Sequence, residues 1–213
     1  MTTDITASGP SGFSDAAGEP FALHAWLDES MHEAVPGISE PMYLLAAAVA
    51  DPAACDDIRD TLRALRPGKK PRLHWREEDG PLKEKVAATI AGADFCGLVV
   101  VGVPADLRKQ ERARSQCMEA MILRLQEIGV TQVWIENRTP SLNKRDRLMV
   151  DAMRSKRILV AGTRVDFARP LEEPMLWIPD ALAGSSGMAR KGSETVYRDL
   201  MGHTVEEIEI LIR

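Results

Sequence analysis

Four acidic residues carry the chemistry this sequence offers. They are Asp28 in FALHAWLDES, Glu136 in TQVWIENR, Asp166 in RVDFARP and Asp180 in LWIPDALAG. Carboxylates packed within a few ångströms repel each other and resist joint ionisation. A hard divalent cation, Mg2+ or Mn2+, relieves that cost by taking oxygen ligands. Two such ions about 4 Å apart can activate a water and stabilise the leaving oxygen of a phosphodiester. The four residues are therefore candidate catalytic groups and candidate metal ligands together.

The surrounding pattern says how they would meet. Residues 21 to 28 alternate in the manner of a strand, and Asp28 stands at its expected carboxyl end. A second, wholly apolar strand follows at 42 to 50, as expected where both faces are covered. Asp51-Pro52 caps a helix that runs to about Arg66, where Pro67-Gly68 stops it. Asp79 caps another. Residues 95 to 104 form a buried strand. A helix with Ala113, Cys117, Met121 and Leu125 on its apolar stripe ends at Gly129. Strands are expected at 131–138 and 158–168, with a helix at 143–156 between them. A further helix holds Asp180. The segment TVEEIEILI reads equally as strand or helix.

Strands separated by helices late in the chain imply parallel pairing, and the two adjacent early strands imply a hairpin. The expectation is one mixed sheet with helices on both faces. In such sheets ligands collect beyond the carboxyl ends of strands. Strand parity then puts Trp26 with Asp28 on one face, and Trp134 with Glu136. If the two strands are neighbours in register, both carboxylates stand side by side, each above a tryptophan. Glu29 points the other way. Ala181, Ala183 and Gly184 would let the Asp180 helix approach the sheet closely.

Each acid also has an ordinary role open to it. A lone carboxylate after a strand is most often a turn or cap residue. Asp180 could favour a helix dipole. Asp166 could pair with Arg164 or Arg169, and Glu136 with Arg138. In HWREED, His74 could shuttle a proton, or the segment could be a surface turn with a cap. His24 reads as a core or half-buried histidine. His32, after the LDES turn, could support the site from behind.

The bulk composition narrows the classes. The chain has 213 residues, a formal net charge of −5, 45% hydrophobic and 28% charged residues. That suits a single domain over 21–213, preceded by a disordered tail over 1–20 rich in Gly, Ser, Ala and Thr. No apolar run reaches membrane-span length, and the N-terminus lacks a basic-then-apolar signal, so a cytoplasmic chain is expected. Cys55, Cys96 and Cys117 form no Cys-x-x-Cys pair and read as buried free thiols. Basic residues gather in three groups: Arg63, Arg66, Lys69, Lys70 and Arg72; Arg108, Lys109, Arg112 and Arg114; and Lys144 to Arg157. Each could touch phosphate, but each reads first as a solvated helix face. Two tyrosines and four phenylalanines leave few base-stacking platforms.

The pieces LDES, VWIENR, RVDFARP and LWIPDALAG resemble a group of uncharacterised bacterial proteins, frequent in actinobacteria, of the ribonuclease H-like clan. The resemblance spans roughly residues 21 to 190. It implies a ribonuclease H-like sheet with an acidic site of the Mg2+ type. By position it makes Asp28 the first-strand acid, Glu136 the middle-strand acid and Asp180 the last-helix acid, with Asp166 in the remaining place. Many ribonuclease H-like enzymes also draw an acid from the first long helix, where Glu111 and Glu119 fit no motif.

Three functions compete on this reading. The first is a metal-dependent nuclease acting on RNA or DNA. The second is a catalytically degenerate ribonuclease H-like domain that binds nucleic acid or a protein. The third, a glycoside hydrolase using an acid–base pair, ranks last because the aromatic content is low.

Overall fold

A computed structural model describes residues 22–66, 68 and 70–213. The expected tail, residues 1–20, lies outside the described residues. Strands β1 (Leu23–His32) and β2 (Met42–Ala50) form an antiparallel hairpin, paired from His24↔Ala50 to His32↔Met42. Strand β3 (Cys96–Val103) adds antiparallel to β2. Strand β4 (Val130–Glu136) returns to the other side of β1 and pairs parallel with it. Strand β5 (Arg164–Ala168) extends that side, parallel to β4. The final segment, ambiguous in sequence, is strand β6 (Val205–Leu211), parallel to β3. The sheet order is β5-β4-β1-β2-β3-β6.

Helices cover both faces. One face packs against α1 (Cys55–Leu65), α2 (Gly80–Ala91), α5 (Trp177–Arg190) and the short α6 (Val196–Leu200). The other packs against α3 (Gln110–Glu127) and α4 (Pro140–Ser155). Every residue of β2 is buried, because it lies between two strands and under helices on both sides. That explains its unbroken apolar run. The helix starts follow local chemistry. Asp51 accepts from Ala53 N ahead of α1, and Asp79 accepts from Leu82 N at the start of α2. After α3 the chain turns at Gly129, whose φ of 87° suits glycine.

Three expectations need correction. β1 does not stop at Asp28; its pairing with β2 carries it to His32, so His32 lies in the strand and not after a turn. The segment from 158 is not strand until Arg164, because Leu159 and Thr163 sit in turns off the end of α4. The stretch around His74 holds a 3-10 turn, Trp75–Glu77, in line with the turn reading of HWREED. Cys96 is exposed at the entry to β3, whereas Cys55 and Cys117 are buried as expected. Burial pushes the Cys55 thiol up to about 11 and the Cys117 thiol up to about 12.

Candidate carboxylate site

The parallel ladder between β1 and β4 sets Trp26 beside Trp134 and Leu27 beside Ile135. One residue further, β4 ends and β1 continues. Asp28 and Glu136 emerge at that step on the same face, directly above the tryptophan pair. Each lies within reach of the other's charge. The third acid arrives from α5. Asp180 sits in the first turn of that helix, and its charge reaches both Asp28 and Glu136.

The electrostatics at Asp28 are one-sided. Burial pushes its carboxyl well above the usual carboxylate range, and Glu136, Asp180 and Glu29 push it further. Among the described residues its hydrogen-bond partner is the Glu29 backbone N–H, 2.7 Å from Oδ1. Among the described residues no cation is paired with it. Glu136 is raised too, chiefly by burial, although Arg72 opposes the rise from 3.3 Å. Asp180 accepts the Trp75 backbone N–H at 2.8 Å and lies 3.1 Å from His74 Nδ1. That hydrogen bond holds His74 above the ordinary histidine range.

Glycine makes this arrangement possible. A Cβ on Gly184 would stand 2.1 Å from Trp75 Cδ1, so only a hydrogen there lets Trp75 seat against α5. The seated ring delivers the Trp75 N–H to Asp180. The small residues of α5 therefore admit a loop as well as letting the helix approach the sheet.

Asp166 is placed elsewhere. Register pairs it with Trp134, while Ala168 is the residue beside Glu136. Asp166 is exposed, accepts from Gln132 Nε2 at 3.1 Å, and is not among the charges acting on Asp28. Arg72 and His74 join the site from the loop between α1 and α2, which sequence periodicity could not position. Of the two glutamates in HWREED, Glu78 is buried and paired with Lys70 at 2.8 Å, and Glu77 is exposed. Glu136 pairs with Arg72 and not with Arg138, and Glu111 pairs with Arg138 on the opposite face.

The donor set suits a hard divalent ion in kind: carboxylate oxygens and no thiolate. Among the described residues, no group of three or more His, Cys, Asp or Glu side chains is already arranged to hold one. Asp28 and Glu136 are the adjacent pair, and the outer oxygens of Glu136 and Asp180 are engaged by Arg72 and His74.

An antiparallel three-strand meander, extended by parallel crossover strands and sandwiched by helices, makes the chain a mixed-sheet α/β fold. Neither a family model nor a curated protein matches the sequence. Among solved structures the chain is similar to the ribonuclease H2 from Pyrococcus horikoshii OT3. The TM-score is 0.49, with 13% identity over 79% of this chain and 73% of that one. Among the described residues no helix is long and apolar enough to cross a membrane.

Proposed function

We propose that this chain is a divalent-metal-dependent nuclease, hydrolysing phosphodiester bonds of RNA or DNA at the Asp28–Glu136 pair. The observation that carries the reading is Asp28. Its carboxyl is half-buried against two other acids, with no cationic partner among the described residues. A carboxyl drawn away from water without a cationic partner keeps its proton, pairs or coordinates metal, and a divalent ion would take the place of that proton. Asp28 and Glu136 would hold Mg2+ or Mn2+, with Asp180 adding a third negative charge; Asp166 stays outside this set. When bound, the ion would supply Lewis acidity at the phosphate and lower the pKa of a water molecule.

The chain's own residues do the rest. The parallel ladder fixes the separation of Asp28 and Glu136. Trp26 closes the floor beneath them, 1% exposed. Trp75 N–H and His74 orient Asp180. His74, with its pKa raised by that contact, stays protonated to higher pH than a free histidine and can deliver a proton to a leaving alkoxide.

One observation favours a second reading. Arg72 and His74 already engage two of the three acids, as they would in a degenerate site that binds nucleic acid or protein without cleaving. The test is Mn2+-dependent cleavage of labelled RNA, DNA and hybrid by wild type and Asp28→Asn. Cleavage by wild type alone supports the nuclease. Binding without cleavage in wild type supports the second reading. Equal cleavage by both removes Asp28 from the chemistry.

A further inference from the structure

Beyond Asp28, the same face of β1 presents Ser30 and His32. Ser30 Oγ lies 3.0 Å from His32 Nε2. The imidazole is packed on α5 at Gly187, where a Cβ would come within 2.1 Å of Nε2. Two cations flank this spot. Lys191 follows Gly187 by one helical turn and so lies on the same side of α5. Arg76 follows Trp75, whose ring sits on Gly184 one turn earlier along the same helix. Neither is ion-paired among the described residues. Arg76 is exposed and Lys191 half-buried.

The charges acting on His32 are those of Lys191 and Arg76, with no carboxylate among them. Together with burial they press the imidazole down to about 4, so His32 is neutral at physiological pH and keeps one N–H to donate. The contrast with Asp28 lies along a single strand. Four residues separate the two, roughly 13 Å at strand spacing. Among the described residues, the charges acting on the first are carboxylates and those acting on the second are cations.

We infer that Ser30, His32, Arg76 and Lys191 form a subsite for a backbone phosphate of a nucleic-acid strand, next to the bond presented to Asp28. Unpaired guanidinium and ammonium groups supply charge, and the hydroxyl and imidazole supply neutral hydrogen bonds. The subsite takes its substrate class from the proposed nuclease reading, but its binding step needs neither metal nor cleavage.

The test is fluorescence anisotropy of a fluorescein-labelled RNA–DNA hybrid, titrated with the full chain in EDTA over a series of salt concentrations. The double variant Arg76→Ala with Lys191→Ala is expected to bind about tenfold or more weaker than wild type. It should also lower the slope of log affinity against log salt by roughly one, for the one phosphate this subsite neutralises. Arg112→Ala, an exposed cation on α3 and the opposite face, is expected to leave both nearly unchanged. Unchanged affinity and slope in the double variant would overturn the subsite. So would an equal loss in Arg112→Ala. Asp28→Asn is expected to keep binding in EDTA, so failure of cleavage and failure of this subsite give different results.

Discussion

Asp28 and Glu29 are neighbours in sequence and opposites in surroundings. Alternation along β1 sends them to different faces. Glu29 meets Arg114, a guanidinium only 1% exposed, which also grips Asp146 with two hydrogen bonds of 3.0 Å and donates to Tyr43 Oη at 3.1 Å. Arg138 joins at 2.8 Å to both Glu111 and Asp146. Each carboxylate there has a cation, so the network ties β1, β2, α3 and α4 together. Among the described residues Asp28 has the Glu29 N–H and no paired cation, and the charges acting on it are those of Glu136, Asp180 and Glu29. The chain therefore builds cationic partners for buried carboxylates where it needs rigidity. Their absence at Asp28, among the described residues, marks that face as one arranged for something other than internal closure.

The strongest way to break this comparison is to remove Arg114. Arg114→Ala leaves buried Asp146 and half-buried Glu29 with only Arg138 among the described residues to answer them. Breaking a buried pair from one side costs about 3–5 kcal/mol, and urea denaturation should read a loss of that order. A loss under about 1 kcal/mol would show the network to be decoration. Next comes the seat of the loop. Gly184→Ala drives a methyl into Trp75 and should cost about 1–3 kcal/mol by overpacking. It should also weaken any Mn2+-dependent cleavage, because Trp75 N–H would leave Asp180. Full activity with a lowered melting temperature would separate the loop from the site.

The adjacent acids can then be set directly against each other. Glu29→Gln should destabilise by about 1–3 kcal/mol, since it weakens a charge-assisted contact to a buried guanidinium. Asp28→Asn should act in the other direction in EDTA. The raised pKa of Asp28 means the folded state holds its proton more tightly than the unfolded chain. Folding stability is then lost as pH rises from the ordinary Asp range through the folded value. The amide removes that loss, so the variant's advantage should grow over that window and level off above it, read as a melting-temperature gain of a few degrees. Mg2+ or Mn2+ should stabilise wild type and not the variant. If both amides lower stability alike, the two faces are not different in kind.

How much of this was legible follows from what local pattern encodes. Period-two alternation placed Trp26 with Asp28 and Trp134 with Glu136, and the ladder joins those pairs as neighbours. Register with a third strand is not a local property. Asp166 was grouped with the others because residues 158–168 read as one strand, whereas pairing begins at Arg164 and sets Asp166 beside Trp134. Arg72 and His74 lie in a loop whose path depends on Trp75 finding Gly184, a contact over a long sequence separation. Arg114 was read with a solvated basic group, yet it is buried. A signal did exist: it stands next to Ala113 and three residues before Cys117, at the margin of the apolar stripe of α3, where a lone arginine needs an acid across from it.

The smallest effect belongs to His74, and it tests whether the acid face is wholly unpartnered. His74 is raised by its hydrogen bond to Asp180. A histidine whose folded pKa exceeds its unfolded value adds stability that is fully present below the unfolded value. That stability fades as pH rises through the folded one. The side chain is 32% exposed, so the pair should contribute less than about 1 kcal/mol. His74→Phe should therefore lower stability at pH 5 to 6 (roughly the window below the ordinary histidine value) and change little at pH 8. Proton NMR should show the His74 ring titrating above that ordinary value in wild type and moving back toward it in Asp180→Asn. A ring that titrates normally in both would leave Asp180 as free as Asp28, and would shift the proposed proton delivery away from His74.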